Sequence, residues 1–183
     1  GATVGRSPVR HVLPLKDHYS FQKFVTVTCY VLTFIEKLKS KVVGARGGPA
    51  PAGGGNMWSA ARLHIIRSEQ ESYFPAIHNF FDREDVPHNK IPPLVSRLNI
   101  IRDSDSVLRV KHRLSNDLIG SAKYPVLLPN DSLLTSLVIR EAHENFNHCG
   151  MYSVLRILRR EWWIPRCFYL VRTILRACVK CRH

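Results

Sequence analysis

Two histidines and two cysteines constrain this chain more than any other feature. They are His143-x4-His148 and Cys178-x2-Cys181, with 29 residues between the pairs. Imidazole nitrogen and thiolate sulfur are the ligands that a tetrahedral structural zinc prefers, and four protein ligands leave no open coordination position. Residues five apart lie about 140° apart round a helix, so His143 and His148 cannot share a helical face. His148 is therefore expected beyond a helix end, brought back by the turn at Asn145 to Asn147. Cys178 and Cys181, at i and i+3, suit a helix terminus or a tight turn. Cys149 and His183 stand close enough in sequence to substitute as ligands, with Cys149 reading rather as filler and His183 as the last residue.

The segment between the pairs reads as helix, break, helix. Asn130-Asp131-Ser132 supplies N-cap oxygens for a helix that buries Leu134, Leu137 and Val138. Gly150 opens a second helix with Met151, Val154, Leu155 and Leu158 on one face. Trp162-Trp163-Ile164-Pro165 breaks it, and a third helix turns Val171, Ile174 and Leu175 inward. A metal joining the ends would close a small core of Leu155, Leu158, Trp162, Trp163, Ile174 and Leu175. A core from about 45 residues is marginal alone, so metal is expected to supply much of its stability.

Upstream the pattern is looser. Residues 1–20 mix proline with basic residues and are expected to form a basic flexible arm. Phe24, Val27, Val31, Phe34 and Leu38 recur at helical steps within 21–43, although Val25-Thr26-Val27-Thr28 would suit a strand equally well. Residues 44–55 hold six glycines and two prolines and read as a linker. From 56 to 129 an α+β region is expected. It holds a helix from Met57 to Phe81 broken near Pro75, an irregular connection at Pro87, Pro92 and Pro93, and strands at Val107–Val110 and Pro125–Pro129. The strands suit a small antiparallel sheet. Residues 130–183 form the zinc-binding segment. The fold class is thus mainly α with a small antiparallel β element and a C-terminal zinc-stabilised three-helix unit, helix-turn-helix-like.

Charge points to a partner. The chain carries 27 Lys+Arg against 14 Asp+Glu, a net +13 with pI ≈ 10.0, which favours a polyanion. Nine of the basic residues and only three acidic ones fall after Ile139. Arg159, Arg160, Arg166, Arg172, Arg176 and Lys180 are the candidate nucleic-acid contacts, through backbone phosphates. The 45% hydrophobic content excludes a wholly disordered basic arm. Five cysteines make no disulfide framework, so a reducing, intracellular compartment is expected, with the choice between nucleus and cytoplasmic particle left open. The most apolar run, Phe24 to Ile35, is too short to span a bilayer, and Gly1 to Arg10 lacks the pattern of a secretory signal.

The segment from His143 to Gly150, the helix ending at Trp162-Trp163-Ile164-Pro165 and the run Val171-Arg172 to Cys178-x2-Cys181 together resemble the HHCC zinc-binding domain of retroelement integrases. Leu108-Arg109-Val110, Arg113-Leu114, Tyr124 to Pro129, the Phe21–Leu38 helix and Ile65-Ile66-Arg67-x-Glu69-Gln70 resemble the stretch before that domain in BEL/Pao-type retrotransposon polyproteins. The chain departs from that pattern at Lys111-His112, where a Gly-rich turn is usual, and at Cys149, where a small residue is usual. The resemblance implies that His143, His148, Cys178 and Cys181 ligate a structural Zn²⁺. It implies retroelement DNA ends as partner and integrase self-association, with no membrane and no small-molecule substrate. Integrases transfer strands with three carboxylates holding two metal ions. That catalytic core follows the zinc domain in the family, so this chain is expected to be a non-enzymatic fragment. Asp103-x-Asp105, the nearest substitute, reads as a solvated turn. A stand-alone zinc-stabilised adaptor is the alternative reading.

Overall fold

The computed structural model describes residues 20–42, 54–83, 91–111 and 124–182. Residues 1–19 of the expected arm, all but the last residues of the Gly/Pro linker, Pro87, His112, Arg113-Leu114 and His183 lie outside them. The described residues are mostly helical with a small mixed sheet. Helix α1 spans Phe21–Val42, α2 Gly54–Tyr73, α3 Pro75–Phe81 and α4 Pro93–Leu98. Strands β1 (Ile100–Arg102), β2 (Leu108–Val110) and β3 (Val126–Leu127) follow, then α5 (Leu133–Asn145) and α6 (Met151–Leu158). Strand β4 (Trp162–Trp163), α7 (Cys167–Arg176) and a 3₁₀ turn (Val179–Cys181) complete the order.

The β-branched run in α1 is helical because its threonines bond inside the helix. Thr26, Thr28 and Thr33 donate to the carbonyls of Gln22, Phe24 and Cys29, at 2.9, 3.0 and 2.8 Å. The buried face is rotated from the expected stripe. Phe21, Phe24 and Val25 are buried, and Cys29 and Leu32 pack beside them. Phe34 and Leu38, expected inward, are 61% and 45% exposed, and Val31 is also exposed. The first half of α1 packs on the body and the second half runs past it.

Pro75 divides α2 from α3 as expected, with Ile66 and Ile77 buried and Leu63 partly so. Helix α2 begins at Gly54, inside the glycine run. Pro92-Pro93 starts a helix instead of remaining irregular: Pro93 takes the first helical position, where its missing N–H costs nothing. Asn99, with φ 49°, ends that helix and turns the chain into β1.

The sheet order is β1-β2-β3-β4. The first three strands are antiparallel, whereas β4 joins β3 in parallel, Val126 opposite Trp162 and Leu127 opposite Trp163. The tryptophan segment that ends α6 is therefore also the sheet's fourth strand. Adjacent residues of a strand face opposite sides, so Trp162 joins the larger apolar cluster and Trp163 packs against the smaller one. This corrects the small core expected for the zinc segment, which had both tryptophans together.

One buried cluster unites Phe21, Phe24 and Val25 of α1, Ala61, Ile65 and Ile66 of α2, and Val126 of β3 with Leu134 to Ala142, Val154, Leu158 and Val171. The smaller cluster, on the opposite face of the sheet, holds Ile77, Val95, Ile100, Leu108, Val110 and Leu127. Gln70 of α2 is fully buried between strands. Its Nε2 donates to the Leu108 and Leu127 carbonyls at 2.9 and 2.7 Å, and its Oε1 accepts from Leu108 N–H at 2.8 Å. It supplies bonds that β2 and β3 do not give each other.

Candidate metal centre

Helix α5 carries the first ligand. Ser132 caps it, accepting from Thr135 N–H at 3.0 Å, and its apolar face anchors it in the main cluster. His143, in its last turn, is 2% exposed. The helix ends at Asn145, and the chain then reverses through Asn147 and His148, both left-handed with φ 53° and 56°. Asn and His tolerate that region better than most side chains. The reversal swings His148 back toward His143, their rings edge-on with centroids 4.7 Å apart. At the other end, α7 stops at Arg176 and the chain enters a 3₁₀ turn whose N-cap is Cys178. Cys181 N–H donates to the Cys178 carbonyl at 3.2 Å, holding the turn closed.

The four candidate ligand atoms all lie within 4.8 Å of one another. His148 Nδ1 is 3.1 Å from His143 Nε2 and 3.3 Å from Cys178 Sγ, and Cys181 Sγ is 3.3 Å from His143 Nε2. Zinc bonds near 2.0 Å to nitrogen and 2.3 Å to sulfur give tetrahedral edges of about 3.3–3.8 Å, close to these separations. His143 Nδ1 lies 3.0 Å from the Cys149 carbonyl. Donating there fixes the tautomer that leaves Nε2 free for a metal. Cys149 thus serves through its backbone, and its sulfur is not among the four. The set fits structural zinc.

The thiols are unequal. Burial raises the Cys178 pKa, but hydrogen bonds from His143, from the backbone and side chain of Cys181 and from His148 outweigh it, and the thiol falls from 9.0 to about 6. Burial raises the Cys181 pKa, and its hydrogen bond to Cys178 and that neighbour's charge raise it further. Near neutral pH, then, Cys178 is mainly thiolate, while Cys181 holds its proton more tightly than an ordinary thiol. Zinc binding near neutral pH is expected to release about one thiol proton per ion, because metal binding requires both sulfurs deprotonated. Calorimetry in buffers of different ionisation enthalpy measures that number, and a release of two would contradict the asymmetry. The lowered pKa also sets the sign of the pH response. Affinity supported by Cys178 is present above its folded pKa and is lost as pH falls through about 6.

Asp103-x-Asp105 does structural work instead. Asp103 Oδ1 accepts from the N–H groups of Asp105 and Val107 at 3.0 and 2.8 Å, and Oδ2 pairs with Arg109. Its oxygens close the β1–β2 turn.

The basic candidates divide. Arg172 and Arg176 lie on the exposed side of α7, bordering a groove beside the zinc turn together with Arg182. Arg166 lines a separate groove with Asn130 and Asp131. Arg159 and Arg160 lie at the exposed end of α6, and Lys180 is exposed in the 3₁₀ turn. Arg182 falls outside the set chosen from sequence. Its position next to Cys181 was the available signal, since the ligand turn fixes its backbone.

With this geometry in place, the family comparison is specific: residues 130–183 match the integrase zinc binding domain. Over its C-terminal part the chain is therefore similar to an integrase-type zinc-binding domain, and the HHCC cluster lies within the matched residues. No curated protein and no solved structure matches it.

Proposed function

We propose that this chain is the zinc-binding part of a retroelement integrase, of BEL/Pao type, with the linker region that precedes it. On this reading it binds element DNA ends and supports integrase self-association in a reducing, intracellular compartment, while strand transfer belongs to a catalytic core elsewhere. The observation that supports DNA binding is a concentration of exposed basic side chains around the zinc segment. Arg62, Arg102 and Arg109 are each paired with a carboxylate, of Glu161, Asp82 and Asp103. Among the described residues Arg159, Arg160, Arg166, Arg172, Arg176, Lys180 and Arg182 form no ion pair. These seven exposed side chains suit an external anion, and phosphates along a duplex match that demand.

The zinc-loaded chain is expected to bind short duplex DNA with an affinity that falls steeply with salt. Three or four phosphate contacts correspond to a log–log slope of about −3 to −4. Fluorescence anisotropy across a salt series measures it. Absence of binding at low salt, or a flat salt dependence, would remove DNA binding from this reading.

A further inference from the structure

Met151 at the start of α6 and Leu175 on α7 floor an open groove of about 530 Å³, which Cys181 also lines. The rest of its lining is Arg172, Arg176 and Arg182. Arg172 and Arg176 are i and i+4 on α7, so their side chains leave the helix on one side. Arg182 comes from a different element, the residue after the last zinc ligand, and also lines the cleft. All three are exposed, none is ion-paired among the described residues, and no Asp or Glu lines the groove. Three guanidinium groups gathered without a counter-charge repel one another until an anion enters. Each presents a planar fork of donors that matches phosphate oxygens. The apolar floor offers a surface for a sugar face, and the groove's open side suits a continuous strand better than a single enclosed ion.

We propose that Arg172, Arg176 and Arg182 form a phosphodiester-binding groove whose third arm is positioned by the zinc turn, so that the metal centre and the backbone contact are mechanically joined. This rests on the DNA reading above and narrows it to one cleft. Arg182 follows Cys181 directly, and its N–H donates to the Val179 carbonyl at 3.3 Å within the same turn. Fixing Cys181 to the histidines therefore fixes the backbone from which Arg182 reaches.

The test uses the full zinc-loaded chain, a short fluorescent duplex, and Arg172→Gln, Arg176→Gln and Arg182→Gln, with Arg97→Gln on distant α4 as control. Zinc stoichiometry and thermal unfolding of each variant establish that it is folded. Each groove substitution is expected to weaken duplex binding by about 3–10-fold and to reduce the salt slope by about 1, whereas Arg97→Gln changes affinity by less than about twofold. Cobalt in place of zinc gives a second readout. Its thiolate absorption is expected to shift when duplex is added to the wild type, because Cys181 lines the groove, and not to shift in Arg182→Gln.

If the three variants behave like Arg97→Gln while the wild type binds duplex, the groove is wrong and the DNA reading stands. If the wild type binds no duplex, both fail. A cobalt shift with inorganic phosphate but none with duplex would make the cleft a free-anion site and overturn the phosphodiester assignment.

Discussion

Cys178→Ser is expected to abolish zinc retention and to cost the chain most of its metal-dependent stability, whereas Cys149→Ser leaves both nearly intact. The contrast follows from geometry. Cys178 Sγ lies 3.3 Å from His148 Nδ1 within the four-ligand cluster, while Cys149 contributes its carbonyl to His143 and keeps that group when its side chain changes. Structural zinc sites in small domains are worth about 10–16 kcal/mol of apparent binding free energy near neutral pH, and a serine hydroxyl is a poor replacement for a thiolate. With free zinc a thousandfold above Kd, linkage alone contributes about 4 kcal/mol to folding, a large share of a typical domain's total. Competition with a chromophoric chelator gives the affinities, and thermal unfolding with and without zinc gives the stabilities. Equal zinc affinity in the two variants would contradict the ligand assignment.

Gln70→Leu should be the most damaging single substitution far from the metal. The side chain is fully buried and makes three hydrogen bonds to the backbone of β2 and β3. Leucine fills similar space but leaves the Leu108 N–H and the Leu108 and Leu127 carbonyls with no replacement for the amide. At about 1–3 kcal/mol for each stranded group, with partial relaxation, the expected loss is about 3–5 kcal/mol. Denaturant unfolding of the zinc-loaded protein measures it. A loss below about 1 kcal/mol would show that β2 and β3 can close on each other without the plug.

What the sequence disclosed and what it concealed divide by range. Ser132 as a cap, the left-handed Asn147 and the inability of His143 and His148 to share a face are local consequences of residue type and spacing, and the structure has all three. The mixed sheet was hidden because β4 is two tryptophans long and pairs with a strand over thirty residues away. Two bulky aromatics after a helix read as a break, and nothing nearby reveals that their backbone also makes a ladder. Gln70 was hidden for a similar reason. A glutamine within a helix suggests a wet face until a sheet is placed over it. The rotated face of α1 shows the limit of periodicity. Val31, Phe34 and Leu38 continue an apolar pattern that packing uses only at the other end and on a neighbouring side. Among the basic residues, sequence density identified the region, but the grouping of Arg182 with Arg172 and Arg176 depends on how the zinc turn folds back.

The buried cluster that α1 and α2 share with the ligand helices has a bearing on descent. A block of coding sequence moved into another protein keeps its fold only if its apolar faces find complementary neighbours on arrival. A crossover at residue 130 would bring Leu134, Ile139 and Val154 to a new protein without Phe24, Ile65 and Val126. It would also strand β4, whose ladder partner is β3, and separate Arg62 from Glu161. Crossovers upstream of Phe21 keep these partners together. Inheritance is thus expected to treat 21–182 as one block, with changes in Ile65 or Val126 tracking changes in the helices that lead to the metal.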